Sequence, residues 1–181
     1  MTDDDLMARV TDGDEGAMRA LVERWEGPVF VFLERMTGSR EEAQDLGQET
    51  FLRVYRQAGR YRASGRFRSW LFRIAGNLAR SRLRRSRLVR WLRFDPARHD
   101  APSPEAAPDR GLERAETVSV VRAALARLPA RQRQAVVLRQ FNELSYAQIA
   151  EAMDTTVPAV ESLLHRAMTA LRDLLAREVN E

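Results

Sequence analysis

Residues 144–175 read LSYAQIAEAMDTTVPAVESLLHRAMTALRDLL. Ser145 followed by Gln148 has the spacing of a capping box, so a helix should start at Tyr146 with Ile149, Ala150 and Met153 on its buried side. Asp154, Thr155 and Thr156 break that pattern. Thr156 can cap a second helix, and Pro158 is tolerated in its first turn because an amide there has no intrahelical partner. Apolar residues then recur at Val160, Leu164, Ala167, Leu171 and Leu175, one stripe at helical spacing. The other face carries Ala159, Glu161, Ser162, His165, Arg166 and Thr169. A short helix, a tight turn and a longer helix predict a helix-turn-helix whose second helix fits a major groove. Helical hairpins that only pack a core share the spacing, so DNA binding needs support from the rest of the chain.

Composition narrows the field. The chain has 181 residues, enough for one ordinary domain or two small ones. With no Cys, it can form neither disulfides nor thiolate sites, and its two His residues, His99 and His165, lack ligand-spaced partners. Neither a metal nor any other cofactor is expected. No apolar run approaches a membrane span, and the N-terminus, MTDDDLMARV, is acidic where a signal peptide would be basic. A cytoplasmic protein without membrane insertion is the expectation.

The net charge of +4 hides a segregation. Residues 1–52 carry a net of −8, residues 53–98 a net of +14, residues 99–117 sum to −3 and residues 118–181 to +1. A basic block beside an acidic one predicts a polyanion-binding surface next to a surface meant for something else. All 30 basic residues are Arg, which contacts phosphate and guanine bidentately and stacks on bases.

Helical periodicity covers Asp14–Glu26 and, past Gly27-Pro28, Val29–Met36, with Gly38 ending that helix. Ser39 with Glu42 reads as a capping box opening a helix from Arg40 to about Ala58. A Gly65-containing loop, Gly59–Arg68, precedes a long basic helix from Ser69 to about Arg90. Further on, helices are expected over about Thr117–Arg127 and Arg131–Phe141. HDAPSPEAAPD, residues 99–109, is rich in Pro and acid and has no apolar periodicity, the composition of a linker. The fold class expected is all-α: two small helical domains, 1–95 and 117–181, joined by a Pro-rich linker over 96–116, the second domain a helix-turn-helix.

From Arg60 to Arg87, Arg is interleaved with Tyr61, Phe67, Trp70 and Phe72. Aromatic faces in a cationic groove suit single-stranded nucleic acid, whose bases stack while Arg tracks phosphates. Trp70, Ile74 and Leu78 share a helical face, so Trp70 reads as core as readily as wedge, and Phe72 as packed. Tyr61 and Phe67, in the loop beside Gly65, are expected to be exposed. Arg80, Arg82, Arg84, Arg85 and Arg87 hold five charges with no acid between them, a run that self-repels unless an anion binds.

Four runs together resemble a bacterial RNA polymerase sigma factor of the extracytoplasmic-function group: EEAQDLGQETFLRVYRQ, FRSWLFRIAGNLARSRLRR, LPARQRQAVVLRQFNELSYAQIAEAM and VPAVESLLHRA. The resemblance spans about residues 10–176, with the runs in the family's order and the linker in its place. It implies a first domain that docks on the clamp of the polymerase beta-prime subunit and melts the minus-ten element, and a second that reads the minus-thirty-five element as duplex. Asp45, Gln48 and Glu49 match the clamp-binding run. Arg60, Tyr61, Arg62, Arg66 and Phe67 match the loop that captures a flipped base, and Trp70, Arg73, Asn77 and Arg80 the helix beside it. Ala159, Glu161, Ser162, His165 and Arg166 fall on the recognition helix. Here the chain departs from the pattern: Glu161 and Leu163 stand where many members are basic, so promoter sequence does not transfer. Partners implied are core polymerase, promoter DNA and an anti-sigma factor. The alternative is a helix-turn-helix repressor or activator acting without polymerase. No carboxylate cluster, Gly-rich phosphate loop or metal set points to an enzyme.

Overall fold

Caps decide where the helices begin. The computed structural model describes residues 1–92 and 112–178. α1 spans Asp3–Thr11 and was not expected from the acidic N-terminus. Its start is a capping box, the Asp5 amide donating to Thr2 Oγ1 (3.1 Å) and the Thr2 amide to the Asp5 carboxylate (2.8 Å). Leu6, Met7 and Val10 anchor it on the core.

α2 runs unbroken over Glu15–Thr37 with Pro28 inside it, where a break at Gly27-Pro28 was expected. An interior Pro costs about 3 kcal/mol. Val29, Phe32, Leu33 and Met36 continue the apolar stripe of Ala17 and Leu21, and burying each large side chain returns about 1.5–3 kcal/mol. Packing wins. The helix stops at Gly38, whose φ of 77° is the left-handed conformation that glycine adopts freely.

α3 covers Arg40–Arg56. Ser39 caps it by accepting the Glu42 amide (3.2 Å), but the reciprocal half of the expected capping box is missing, because Glu42 pairs with Arg82 at 2.9 Å instead. A single 3-10 turn, Ala58–Arg60, leads to α4, Phe67–Leu92. The second cluster is α5 (Leu112–Arg127), α6 (Ala130–Gln140), α7 (Tyr146–Ala152) and α8 (Val157–Glu178). The protein is all-α among the described residues. α5 starts at Leu112, so residues 112–116, expected as linker, are helical; the Pro-rich run lies outside the described residues. No described helix is long and apolar enough to cross a membrane.

The two clusters, α1–α4 and α5–α8, share one apolar core, with α4 packed on α7 and α6, and α2 on α5 and α6. Arg133 joins them. Only 5% exposed, its guanidinium donates to the Met36 carbonyl (2.5 Å) in the last turn of α2 and to the Ala126 carbonyl (2.6 Å) in the last turn of α5. Both acceptors belong to helix C-termini, where carbonyls lack intrahelical donors and the dipole favours a cation. Burial, and then the nearby Arg87, push its pKa down to about 10, which leaves it charged at neutral pH. Nearby, Asn142 Nδ2 donates to the Pro28 carbonyl (3.0 Å), Arg68 donates to the Asn142 carbonyl, and the Arg35 guanidinium lies 3.9 Å from the centre of the Phe141 ring. Gly76 of α4 faces α6: a Cβ there would sit 2.2 Å from Nε2 of the fully buried Gln134.

Candidate nucleic-acid interface

The loop between the 3-10 turn and α4 is fastened by one carboxylate of the unexpected helix α1. Asp4 accepts the Tyr61 hydroxyl (2.5 Å) through one oxygen and the Gly65 amide (2.7 Å) through the other. Gly65 has a φ of 69°, a left-handed turn that a side chain would strain. Burial and, after it, the bond to Asp4 push the Tyr61 phenol above its ordinary pKa, so it remains a proton donor.

Tyr61 and Trp70 are half-buried, their ring centres 4.9 Å apart. Phe67 departs from expectation. It is the first residue of α4, 2% exposed, its ring 6.0 Å from Trp25 and 5.9 Å from Tyr61. The physical reason is register: Phe67 stands one helical turn before Leu71 and continues its buried stripe. Phe67 therefore backs the aromatic edge that Tyr61 and Trp70 present, and Phe72 is packed as expected.

Arg60, Arg62, Arg66 and Arg73 line the same cleft of about 580 Å³ as Tyr61 and Trp70. A second hollow of about 260 Å³ holds Arg73 and Asn77 with Arg53 and Gln57. The exposed Asn77 accepts from Arg80 at 2.5 Å, which orients its amide. Arg80 has its pKa lowered by burial first, then by repulsion from Arg131 and Arg84. The far wall of the larger cleft is α7 and the turn after it. Glu151 pairs with Arg66 at 3.3 Å and Asp154 with Arg73 at 3.1 Å. Asp154 holds a φ of 51°, a left-handed conformation that Asp tolerates better than most residues.

Elsewhere in the first cluster, α2 and α3 frame a groove of about 1030 Å³ lined by Met18, Val22, Phe30 and Phe51 together with Asp45, Gln48, Leu52 and Tyr55. Asp45 and Gln48 are exposed. Glu49 is not part of it; its carboxylate accepts from Arg53 (2.8 Å), and that bond holds its pKa below the usual range. Leu52 and Tyr55, 48% and 55% exposed, lie on the same side of α3 as Asp45 and Gln48 by their spacing, a shared face that the sequence reading does not single out.

In the second cluster the expected caps form. Ser145 and Gln148 make the capping box, and Thr156 Oγ1 accepts the Ala159 amide at 3.4 Å. Glu161, Ser162, His165 and Arg166 are exposed on α8, with Ala159 half-buried. Arg166 donates to the Ser162 carbonyl and hydroxyl, both at 3.2 Å. Leu163 leans on the core, which is why an apolar residue stands there.

Residues 21–89 match the family described as Sigma-70 region 2, and residues 119–171 the one described as Sigma-70, region 4. The chain is 34% identical over 180 residues to the RNA polymerase sigma-H factor of Pseudomonas aeruginosa, covering 93% of this chain and 91% of that protein. It belongs to the extracytoplasmic-function (ECF) group of the sigma-70 family. Similarity of the same order, 33% over 174 residues and 92% of each chain, links this sigma factor to the ECF RNA polymerase sigma-E factor of Haemophilus influenzae. Among solved structures it is similar to CnrH in complex with the cytosolic domain of CnrY, with a TM-score of 0.70, 26% identity and 97% of both chains covered. A sigma factor directs RNA polymerase to promoters. Among the described residues no group of acidic or His side chains is arranged to hold a metal.

Proposed function

We propose that the two faces of residues 1–95 divide the work of this cytoplasmic sigma factor. The groove between α2 and α3 docks on the beta-prime clamp of core polymerase through Asp45, Gln48, Leu52 and Tyr55. The cleft of Tyr61, Trp70 and the surrounding arginines holds a base unstacked from the minus-ten element. Residues 117–178 act as a helix-turn-helix, with α7 crossing the backbone and α8 presenting Glu161, Ser162, His165 and Arg166 to the minus-thirty-five duplex. The observation that carries this is the aromatic edge set among four arginines, the chemistry that a flipped base and its phosphates require.

In this structure α7 occupies the front of that cleft, so the second cluster must swing away before DNA enters. Support for a protein inhibitor comes from the likeness to CnrH, which was solved in complex with another protein's cytosolic domain. An anti-sigma factor is the proposed counterpart here. A regulator acting without polymerase leaves the open groove on α2 and α3 without a use.

The test is permanganate reactivity of promoter thymines with reconstituted holoenzyme. Base stacking on a ring contributes about 1–3 kcal/mol, so Tyr61→Ala should lower strand separation about tenfold or more. On a template already mismatched across the minus-ten region the loss should largely vanish, because unpairing no longer has to be driven. Equal melting by wild type and Tyr61→Ala would remove the cleft from the mechanism.

A further inference from the structure

The segment from Tyr61 to Arg66 gives Tyr61, Arg62, Ser64 and Arg66 to the lining of the aromatic-cationic cleft, yet it has no regular structure. Residues 62–66 are all exposed. Among the described residues, the backbone of residues 62–65 makes a single hydrogen bond, from the Gly65 amide to Asp4. A segment without backbone pairing samples many conformations, and a ligand that needs one of them meets only that fraction of the chains. The second oxygen of the same carboxylate accepts the Tyr61 hydroxyl. One side chain therefore ties both ends of the loop.

Asp4 is itself held in place. α1 begins at the Thr2–Asp5 capping box, Asp3 pairs with Arg24 of α2 at 2.5 Å, and Leu6, Met7 and Val10 are buried. Its charge, however, has the wrong sign for a surface that receives a polyanion. On the proposed function, Glu151 and Asp154 leave the cleft with the second cluster, whereas Asp4 belongs to the first cluster and stays. A carboxylate kept there needs a use other than attraction.

We propose that Asp4 is a positioning residue for base capture, holding Tyr61 and Gly65 so that the loop between them keeps the shape that receives the unstacked minus-ten base. This rests on the assignment of the Tyr61 cleft to the separated strand. With its hydroxyl committed to Asp4, Tyr61 offers DNA the face of its ring, and Arg62, Ser64 and Arg66 are set around that ring before DNA arrives. Conformational freedom is then lost on folding rather than on binding, which is how a preorganised site gains affinity. The sign of the effect is distinctive. On charge alone, removing a carboxylate beside a cationic cleft should tighten binding to DNA. Loss of positioning should weaken it.

The experiment uses holoenzyme and two probes cut from a promoter that it selects in vitro. Both share the same upstream duplex; one carries the non-template minus-ten element as a single-stranded overhang, and the other ends where the overhang begins. Asp4→Ala should bind the overhang probe about tenfold more weakly, the loss expected when hydrogen bonds to a charged acceptor disappear. It should bind the blunt probe like wild type. Asp4→Asn keeps one acceptor oxygen in the same shape, so its loss should be intermediate, and it carries the test if the Ala variant folds poorly. Tyr61→Phe keeps the ring and removes the bond. Combined with Asp4→Ala, it should add little to the loss caused by Asp4→Ala alone, because the two changes break the same contact. In the free protein, hydrogen exchange at the Gly65 amide should quicken in the Asp4→Ala variant while circular dichroism stays unchanged.

Wild-type or tighter binding of the overhang probe by Asp4→Ala would overturn the proposal while leaving the cleft in place, provided Tyr61→Ala still weakens that probe. An equal loss on both probes would also overturn it, since Asp4 would then support the fold or polymerase docking. Additive losses in the double variant would separate Asp4 from Tyr61 and overturn it too. If Tyr61→Ala binds the overhang probe as wild type does, the underlying reading of the cleft falls, and this proposal with it.

Discussion

The groove on α2 and α3 and the cleft beside α4 both draw on the first helical cluster, yet stand in opposite states. The groove is open, its lining residues Leu52 and Tyr55 in solvent and Asp45 unpaired among the described residues. The cleft is walled by α7, its arginines Arg66 and Arg73 already satisfied by Glu151 and Asp154. The carboxylates sit against arginines that the proposed function assigns to DNA phosphates. On the proposed function, a chain in this state leaves the polymerase-docking groove open while Glu151 and Asp154 engage two arginines of the DNA-binding cleft.

The comparison breaks most sharply at the groove. If docking there is what recruits polymerase, Asp45→Arg combined with Leu52→Arg should reduce holoenzyme formation by about a hundredfold or more, since an apolar anchor and a complementary charge each contribute about 2 kcal/mol. Both residues are exposed, so helicity should hold. Native electrophoresis with core polymerase reads the result, and normal holoenzyme would mean the open groove serves something else.

The closed side is expected to yield next. Gly76→Ala puts a methyl 2.2 Å from Gln134 Nε2, and overpacking of this kind costs about 1–3 kcal/mol. The cost is confined to the closed form, because a free α4 gains from Ala about 1 kcal/mol of helix propensity. Small-angle scattering should show an expanded chain, with the open fraction raised about ten- to a hundredfold. Adding Gln134→Ala should restore the compact form. An expanded double variant would mean that Gly76 acts through α4 itself.

What the sequence disclosed and what it hid divide along the same line. Caps and stripes are local, so Ser145, Thr156 and the apolar series from Val160 are legible from spacing alone, and Asp45, Gln48 and Trp70 fall on usable surfaces. Phe67 reads wrongly as a loop ring because α4 starts one half-turn earlier than its periodicity suggests, which turns that ring into the core. α1 escapes notice although Thr2 and Asp5 have the capping spacing; three acids in a row look like a solvated tail. The interface between the clusters is illegible for a deeper reason. Arg133, Gln134, Asn142 and Gly76 look like ordinary polar or small helix residues, and only distant carbonyls and a facing helix give them a role. An Arg seeking the orphan carbonyls of two helix ends leaves no periodic trace.

The smallest expected effect isolates charge from shape. Glu151→Gln and Asp154→Asn remove both carboxylates that face Arg66 and Arg73 while preserving size. Asn tolerates the left-handed backbone at Asp154 as well as Asp does, so the turn between α7 and α8 should be undisturbed. Exposed ion pairs contribute about 0–1 kcal/mol each, so the pair of substitutions should raise the open fraction only a few-fold. Salt separates this from packing. Between roughly 0.05 and 0.5 M the Debye length shrinks severalfold, so wild type should open as salt rises, whereas the double variant should be nearly insensitive. Fluorescence transfer between dyes on α3 and α8 measures both. If the variant and wild type respond to salt alike, the closed state is held by Arg133 and the shared core alone, and Glu151 and Asp154 are bystanders to it.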